Sequence, residues 1–202
     1  MLLDLEQSQL VLVDLQPRLQ AAMHEGEQVW QQAQRLAAWA SALQIPVWGT
    51  EQNPSRLGTM PEGLRQHCRQ VLAKMQFSAV EEGLGEWLAP PAAQAPRGNA
   101  RSLPRHLQKP QPAQEEGRAS VVLAGCEAHV CLLQTALELL EEEFEVWVVT
   151  DACSSRTERN RDAAFDRLAG AGAELVSTEM VVFEWLRSAE HPAFKAAQAL
   201  IK

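Results

Sequence analysis

The sequence predicts an α/β protein, a three-layer α/β/α sandwich around a mainly parallel sheet of roughly six strands. Three observations lead there. Leu10-Val11-Leu12-Val13 and Ser120–Ala124 are short, unbroken apolar runs, the pattern of strands covered on both faces. Segments of helical periodicity alternate with such runs along the chain, which implies parallel strands joined by crossover helices. At 202 residues the chain is long enough for one domain with a full core.

The elements follow in order. The first strand is Leu10–Val13, ending at Asp14. A helix from about Glu25 to Leu43 carries Val29, Trp30, Ala33, Leu36, Ala37 and Ala40 on one face. Ile45–Thr50 reads as the second strand, with Pro46 at its start, where a missing N–H is tolerated. Residues 51–62 read as a loop rich in Pro, Gly and Asn. Arg69–Ala73 is a short third strand leading into Lys74. Ser120–Ala124 is the fourth strand, Glu145–Thr150 the fifth, ending at Asp151, and Glu174–Ser177 the sixth. Helices are expected near 130–142, 156–170, 180–188 and 191–201, with Ser154 or Ser155 capping the second of these. Ala89–Ala119 departs from the alternation. It holds six of the eleven prolines, interspersed with Arg97, Arg101, Arg105, His106 and Lys109, and has no apolar period. We read residues 1–202 as a single domain with a proline-rich insertion at about 89–119.

Composition excludes several classes. A net charge of −8 argues against a nucleic-acid partner, since phosphate binding needs a basic face. No apolar run reaches the ~20 residues that span a bilayer. The short acidic start Met1–Glu6 is unlike a signal peptide, and four irregularly spaced cysteines do not form a disulfide framework. The expectation is a cytoplasmic protein with reduced thiols. Neither a dinucleotide fingerprint nor a Walker pattern occurs, so no nucleotide cofactor is called for.

Ligands of open α/β sheets sit at the carboxyl ends of the strands. Asp14, Lys74 and Cys131 fall at or just beyond three such ends. Cys131 is expected in the first turn of a helix, where free N–H groups and the helix dipole favour a thiolate. A carboxylate can take the thiol proton, an ammonium can hold the charges in place, and the sulfur can attack a carbonyl carbon. The turn Gly125–Val130 can aim backbone N–H groups at the resulting oxyanion.

Four blocks carry a family resemblance: Leu12-Val13-Asp14-Leu15-Gln16, Thr50 to Gly58, Lys74-Met75-Gln76-Phe77-Ser78, and Gly125 to Thr135 with Asp151-Ala152-Cys153-Ser154-Ser155-Arg156 downstream. Together they resemble the isochorismatase-like cysteine hydrolase superfamily, and most of all its isochorismatase domain-containing proteins. The resemblance implies a Rossmann-like topology and a Cys-Asp-Lys triad of Cys131, Asp14 and Lys74. It implies a cis peptide at Cys126–Glu127 and an oxyanion hole from the N–H groups of Glu127 and Cys131. It also suggests a homodimer or larger homo-oligomer. The segment Glu51–Pro61 has no histidine, unlike the metal-binding loop of nicotinamidases, so neither a metal nor nicotinamide is expected.

The resulting reading is a hydrolase of a small amide, carbamoyl or ester-like substrate, with Gln16, Phe77 and His129 as substrate-binding candidates. A Cys131–His129 dyad is a rival mechanism, and a zinc cluster of Cys126, His129 and Cys131 lacks a second ligand pair. A non-catalytic scaffold retaining the fold is the alternative function.

Overall fold

A computed structural model describes residues 2–89 and 117–200. Six strands form one all-parallel sheet: β1 (Ser8–Val13), β2 (Val47–Gln52), β3 (Gln70–Lys74), β4 (Ser120–Cys126), β5 (Glu145–Ser154) and β6 (Glu174–Val176). Their spatial order is β3-β2-β1-β4-β5-β6, so the order reverses between β1 and β4. That reversal opens the crevice in which doubly wound sheets bind ligands.

Helices cover both faces, as the alternation of apolar runs and helical periods requires. They are α1 (Pro17–Gln20), α2 (Gly26–Ala42), α3 (Pro54–Leu57), α4 (Glu62–Arg65), α5 (Leu84–Leu88), α6 (Leu133–Glu141), α7 (Glu158–Ala171), α8 (Thr178–Leu186) and α9 (Phe194–Leu200). A π-helical turn, Ala128–Leu132, precedes α6. Alternate residues of β1 serve opposite layers. Leu10 and Leu12 pack with Leu36, Trp39 and Trp185, whereas Val11 and Val13 pack with Cys131, Leu132 and Ala136. This two-sided burial is why the strand reads as an unbroken apolar run.

The expected elements are present, with shifted ends. β2 runs two residues past Thr50, and β4 continues through Gly125 to Cys126. β5 passes Asp151 and ends at Ser154, because an irregularity between Leu123 and Gly125 re-registers it against β4. The segment 51–62, expected as a loop, holds the last two residues of β2, all of α3 and the first residue of α4. The cap of α7 is Thr157, whose hydroxyl accepts the N–H of Asn160 at 3.3 Å, and not Ser154 or Ser155. The proline-rich insertion lies almost wholly outside the described residues.

Gly125 lets the crevice close. It is in register with Val13, its φ is +139°, and a Cβ there would stand 2.0 Å from the Val13 carbonyl oxygen. All the atoms it would meet are backbone of Val13, held in the sheet, so nothing can move aside. Gly125→Ala is therefore expected to destabilise the protein by at least about 2 kcal/mol, read as a lower urea midpoint with an unchanged slope. An unchanged midpoint would contradict this packing.

Candidate active site

The sheet brings Asp14, Lys74 and Cys131 to one place. Asp14 follows β1 in a left-handed conformation, φ 48°, which Asp tolerates better than most residues. Thr50 of β2 holds it there. Its hydroxyl accepts the Asp14 N–H at 3.1 Å and donates to Asp14 Oδ1 at 2.6 Å. Asp14 Oδ2 lies 2.8 Å from Lys74 Nζ, and both side chains are 0% exposed. The same carboxylate also meets the Cys131 thiol, so it stands between the ammonium and the sulfur.

Lys74 comes from β3, two strands away, and its side chain passes over the end of β2 to reach Asp14. Its ammonium donates to Gln52 Oε1 at 2.7 Å, Phe77 O at 2.9 Å and Gln76 O at 3.3 Å. Together with Asp14, these oxygens surround a buried cation with acceptors, which is what makes its burial tolerable.

Cys131 is the fourth residue of the π-helical turn. Its thiol lies 3.8 Å from Gln52 Oε1 and interacts with both Asp14 and Lys74. The surroundings of this sulfur run against the expected resting thiolate. Burial pushes the Cys131 thiol up to about 12, and the Asp14 charge adds to this while Lys74 opposes it. The helix-end address is real, but desolvation outweighs it. Cys126, whose peptide bond to Glu127 is cis, lies beside this thiol and is raised to about 12 by burial.

The other candidates have partners of their own. Gln16 is buried, and its amide is fully engaged. Its Oε1 accepts the Gln52 N–H at 2.9 Å, and its Nε2 donates to Gln52 O at 3.1 Å and to Gly58 O. It clamps the end of β2, leaving little for a ligand. Phe77 offers its carbonyl to Lys74 while its ring is 52% exposed. His129 is tied to the chain after β5, with Nδ1 2.9 Å from Ser155 Oγ and Nε2 3.4 Å from Asn160 Nδ2. Its ring is therefore engaged away from a Cys-His dyad. The Glu127 side chain accepts from Arg156 Nε at 2.9 Å, which fixes the start of the turn. Among the described residues no cluster of three or more His, Cys, Asp or Glu could hold a metal ion, and no helix is long and apolar enough to cross a membrane. A cavity of about 210 Å³ lies in the other layer, between Trp39, Asp151, Thr178 and Phe183, and does not reach Cys131.

Two residues were missed from sequence, Thr50 and Gln52. Both stand at the end of β2, the strand between β1 and β3, two residues apart and so on one face, where they meet Asp14 and Lys74, whereas Glu51 between them turns away to Met60 and Arg65.

A model of the isochorismatase domain matches residues 110–180. Isochorismatase domain-containing protein 2A of Mus musculus is 36% identical over 201 residues, covering 98% of this chain and 84% of that protein. The chain belongs to the isochorismatase family. A solved structure of the MAR1 ribonuclease from Caenorhabditis elegans is 29% identical, with a TM-score of 0.81 over 100% of this chain and 92% of that one. The YcaC gene product of Escherichia coli, described as an octameric hydrolase of unknown specificity, is 22% identical with a TM-score of 0.79, over 100% of this chain and 89% of that one. The chain thus carries the hydrolase fold of the isochorismatase family.

The raised thiol predicts a specific pH dependence. Only the thiolate alkylates, so below its midpoint the reactive fraction grows about tenfold per pH unit. Modification of Cys131 by iodoacetamide, followed by mass spectrometry of its peptide, should climb steadily from pH 6 to 9. A plateau below pH 8 would mean an ionised resting sulfur.

Proposed function

We propose that this isochorismatase-family protein is a cysteine-dependent hydrolase of a small amide, carbamoyl or ester-like substrate. Cys131 is the nucleophile, Asp14 the base, and Lys74 the charge that fixes the base. The observation that carries this reading is the buried Asp14 carboxylate, 2.8 Å from Lys74 Nζ and in contact with the Cys131 thiol. A carboxylate so placed is suited to accept a proton.

Because burial raises the thiol, proton transfer accompanies attack in this scheme. The S–H proton passes to Asp14 Oδ2 as Sγ bonds to the carbonyl carbon, and the C=O π pair moves onto oxygen. The N–H groups of Glu127, which precedes the π-helical turn, and of Cys131, its fourth residue, are the donors for that oxyanion. Collapse expels the amine or alcohol, which takes the proton back from Asp14. Water then adds to the thioester, losing its proton to Asp14, and the tetrahedral species releases the acid and the thiol. No step needs a metal or cofactor.

Two facts weigh against other readings. A non-catalytic scaffold has no use for a fully buried ion pair, which apolar residues of similar volume replace without loss of stability. The ribonuclease name of one structural neighbour does not transfer readily, because a net charge of −8 repels a phosphate backbone. We further infer a single-domain, cytoplasmic, homo-oligomeric enzyme acting on a small molecule.

A panel of small amides, carbamoyl compounds and esters, with mass spectrometry of the protein during turnover, tests this. An acyl or carbamoyl adduct should appear on Cys131. Cys131→Ala should lose at least about 1,000-fold in kcat/KM, and Asp14→Asn about 100-fold or more. Hydrolysis that persists in Cys131→Ala would exclude the scheme.

A further inference from the structure

We propose that Gln52 is a positioning residue whose side-chain carbonyl ties Lys74 to Cys131 and holds the thiol proton until Asp14 takes it. This rests on Cys131 being the nucleophile and extends that reading to a residue outside the three.

The geometry begins with strand order. Lys74 is in register with Gln52 on the neighbouring strand, so a lysine reaching from β3 to the end of β1 must pass the Gln52 side chain. Strands are spaced about 4.8 Å apart, so the amine crosses one whole strand. Gln52 Oε1 receives Nζ at 2.7 Å and stands 3.8 Å from Cys131 Sγ. One sp² oxygen has two lone pairs and can serve both donors.

The amide cannot turn over without loss. Its Nε2 donates to Met75 O at 2.8 Å, and a flip would set the NH₂ against the Lys74 ammonium and oxygen against oxygen at Met75. The backbone of Gln52 is held equally firmly by the two bonds from the Gln16 amide. The oxygen is therefore presented at a fixed point between the amine and the sulfur.

A carbonyl oxygen accepts from S–H but repels S⁻, so Gln52 favours the thiol. The charged and titratable groups around the sulfur are Asp14 from β1, Lys74 from β3 and Cys126 from β4. Asp14 acts in the same direction as Gln52, and Lys74 acts against them. In the reaction the S–H···Oε1 contact is given up, the proton moves to Asp14 Oδ2, and the S–C bond forms. Gln52 gains and loses no atom, and Lys74 stays anchored throughout.

Two substitutions in the full-length protein separate this role from a merely structural one. Gln52→Leu removes the acceptor at similar volume. Gln52→Glu keeps the shape and adds a negative charge. Iodoacetamide alkylation of Cys131 at pH 8 should be at least about threefold faster in Gln52→Leu and at least about threefold slower in Gln52→Glu. Turnover in Gln52→Leu should fall about tenfold or more, because Lys74 loses an anchor. A loosened loop would accelerate alkylation in both variants, so equal rates or changes in one direction overturn the proposal. If Gln52→Leu does not fold, Gln52→Glu decides alone: slower alkylation supports the role, and an unchanged or faster rate refutes it. Opposite shifts in alkylation alongside full turnover by Cys131→Ala would instead sink the nucleophile while leaving the Gln52–thiol contact standing.

Discussion

A fully buried carboxylate–ammonium pair is the constraint around which the site is organised. Removing either partner from such a pair strands a charge away from water, at a cost of about 3–5 kcal/mol. Asp14 and Lys74 avoid that penalty only because the surrounding chain supplies oxygens and a hydroxyl in the right places. Thr50 occupies Asp14 Oδ1, and Gln52, Gln76 and Phe77 occupy the ammonium. Four of those groups belong to the ends of β2 and β3 or to the few residues after them. The pair thus fixes the conformation of the strand ends, and the strand ends fix the pair.

The sheet makes this meeting possible. The order reverses between β1 and β4, and the loops after them part to opposite sides. Asp14 and Cys131 flank that reversal. The left-handed turn at Asp14 and the side-chain-free approach of Gly125 to Val13 narrow the gap. Neither feature adds a reactive group. Both set how closely the groups stand, and misplacement by about 1 Å is enough to weaken proton transfer and attack.

Sequence made the architecture legible because apolar run length and helical periodicity respond directly to two-sided burial. Asp14, Lys74 and Cys131 were visible for a related reason: each follows a recognisable strand. What sequence could not show was which side chains serve them. Gln16 carries a free-looking amide, yet both its ends are engaged by Gln52 and Gly58. His129 sits two residues from Cys131, yet its ring faces Ser155 and Asn160. Thr50 and Gln52 gained their roles from β2 lying between β1 and β3, an arrangement of space that linear spacing does not encode. The ends of β4 and β5 slipped because an irregularity between strands leaves no mark on the apolar pattern.

The thiol shows how local and tertiary effects compete. A helix start stabilises a neighbouring anion, typically by 0.3–1 kcal/mol. Burial acts on the same group with a larger effect and the opposite sign, and the nearby carboxylate reinforces it, so the sulfur keeps its proton up to about 12. A buried neutral thiol is a poor nucleophile until something removes its proton, and the carboxylate that helps hold the proton is also the group placed to accept it. In the proposed reaction Asp14 disfavours a free thiolate until an electrophile is aligned, and then takes its proton. Under that scheme, coupling deprotonation to the presence of substrate would limit reaction with stray oxidants and electrophiles, which attack free thiolates first. An electropositive pocket that ionised the cysteine permanently would give up that protection.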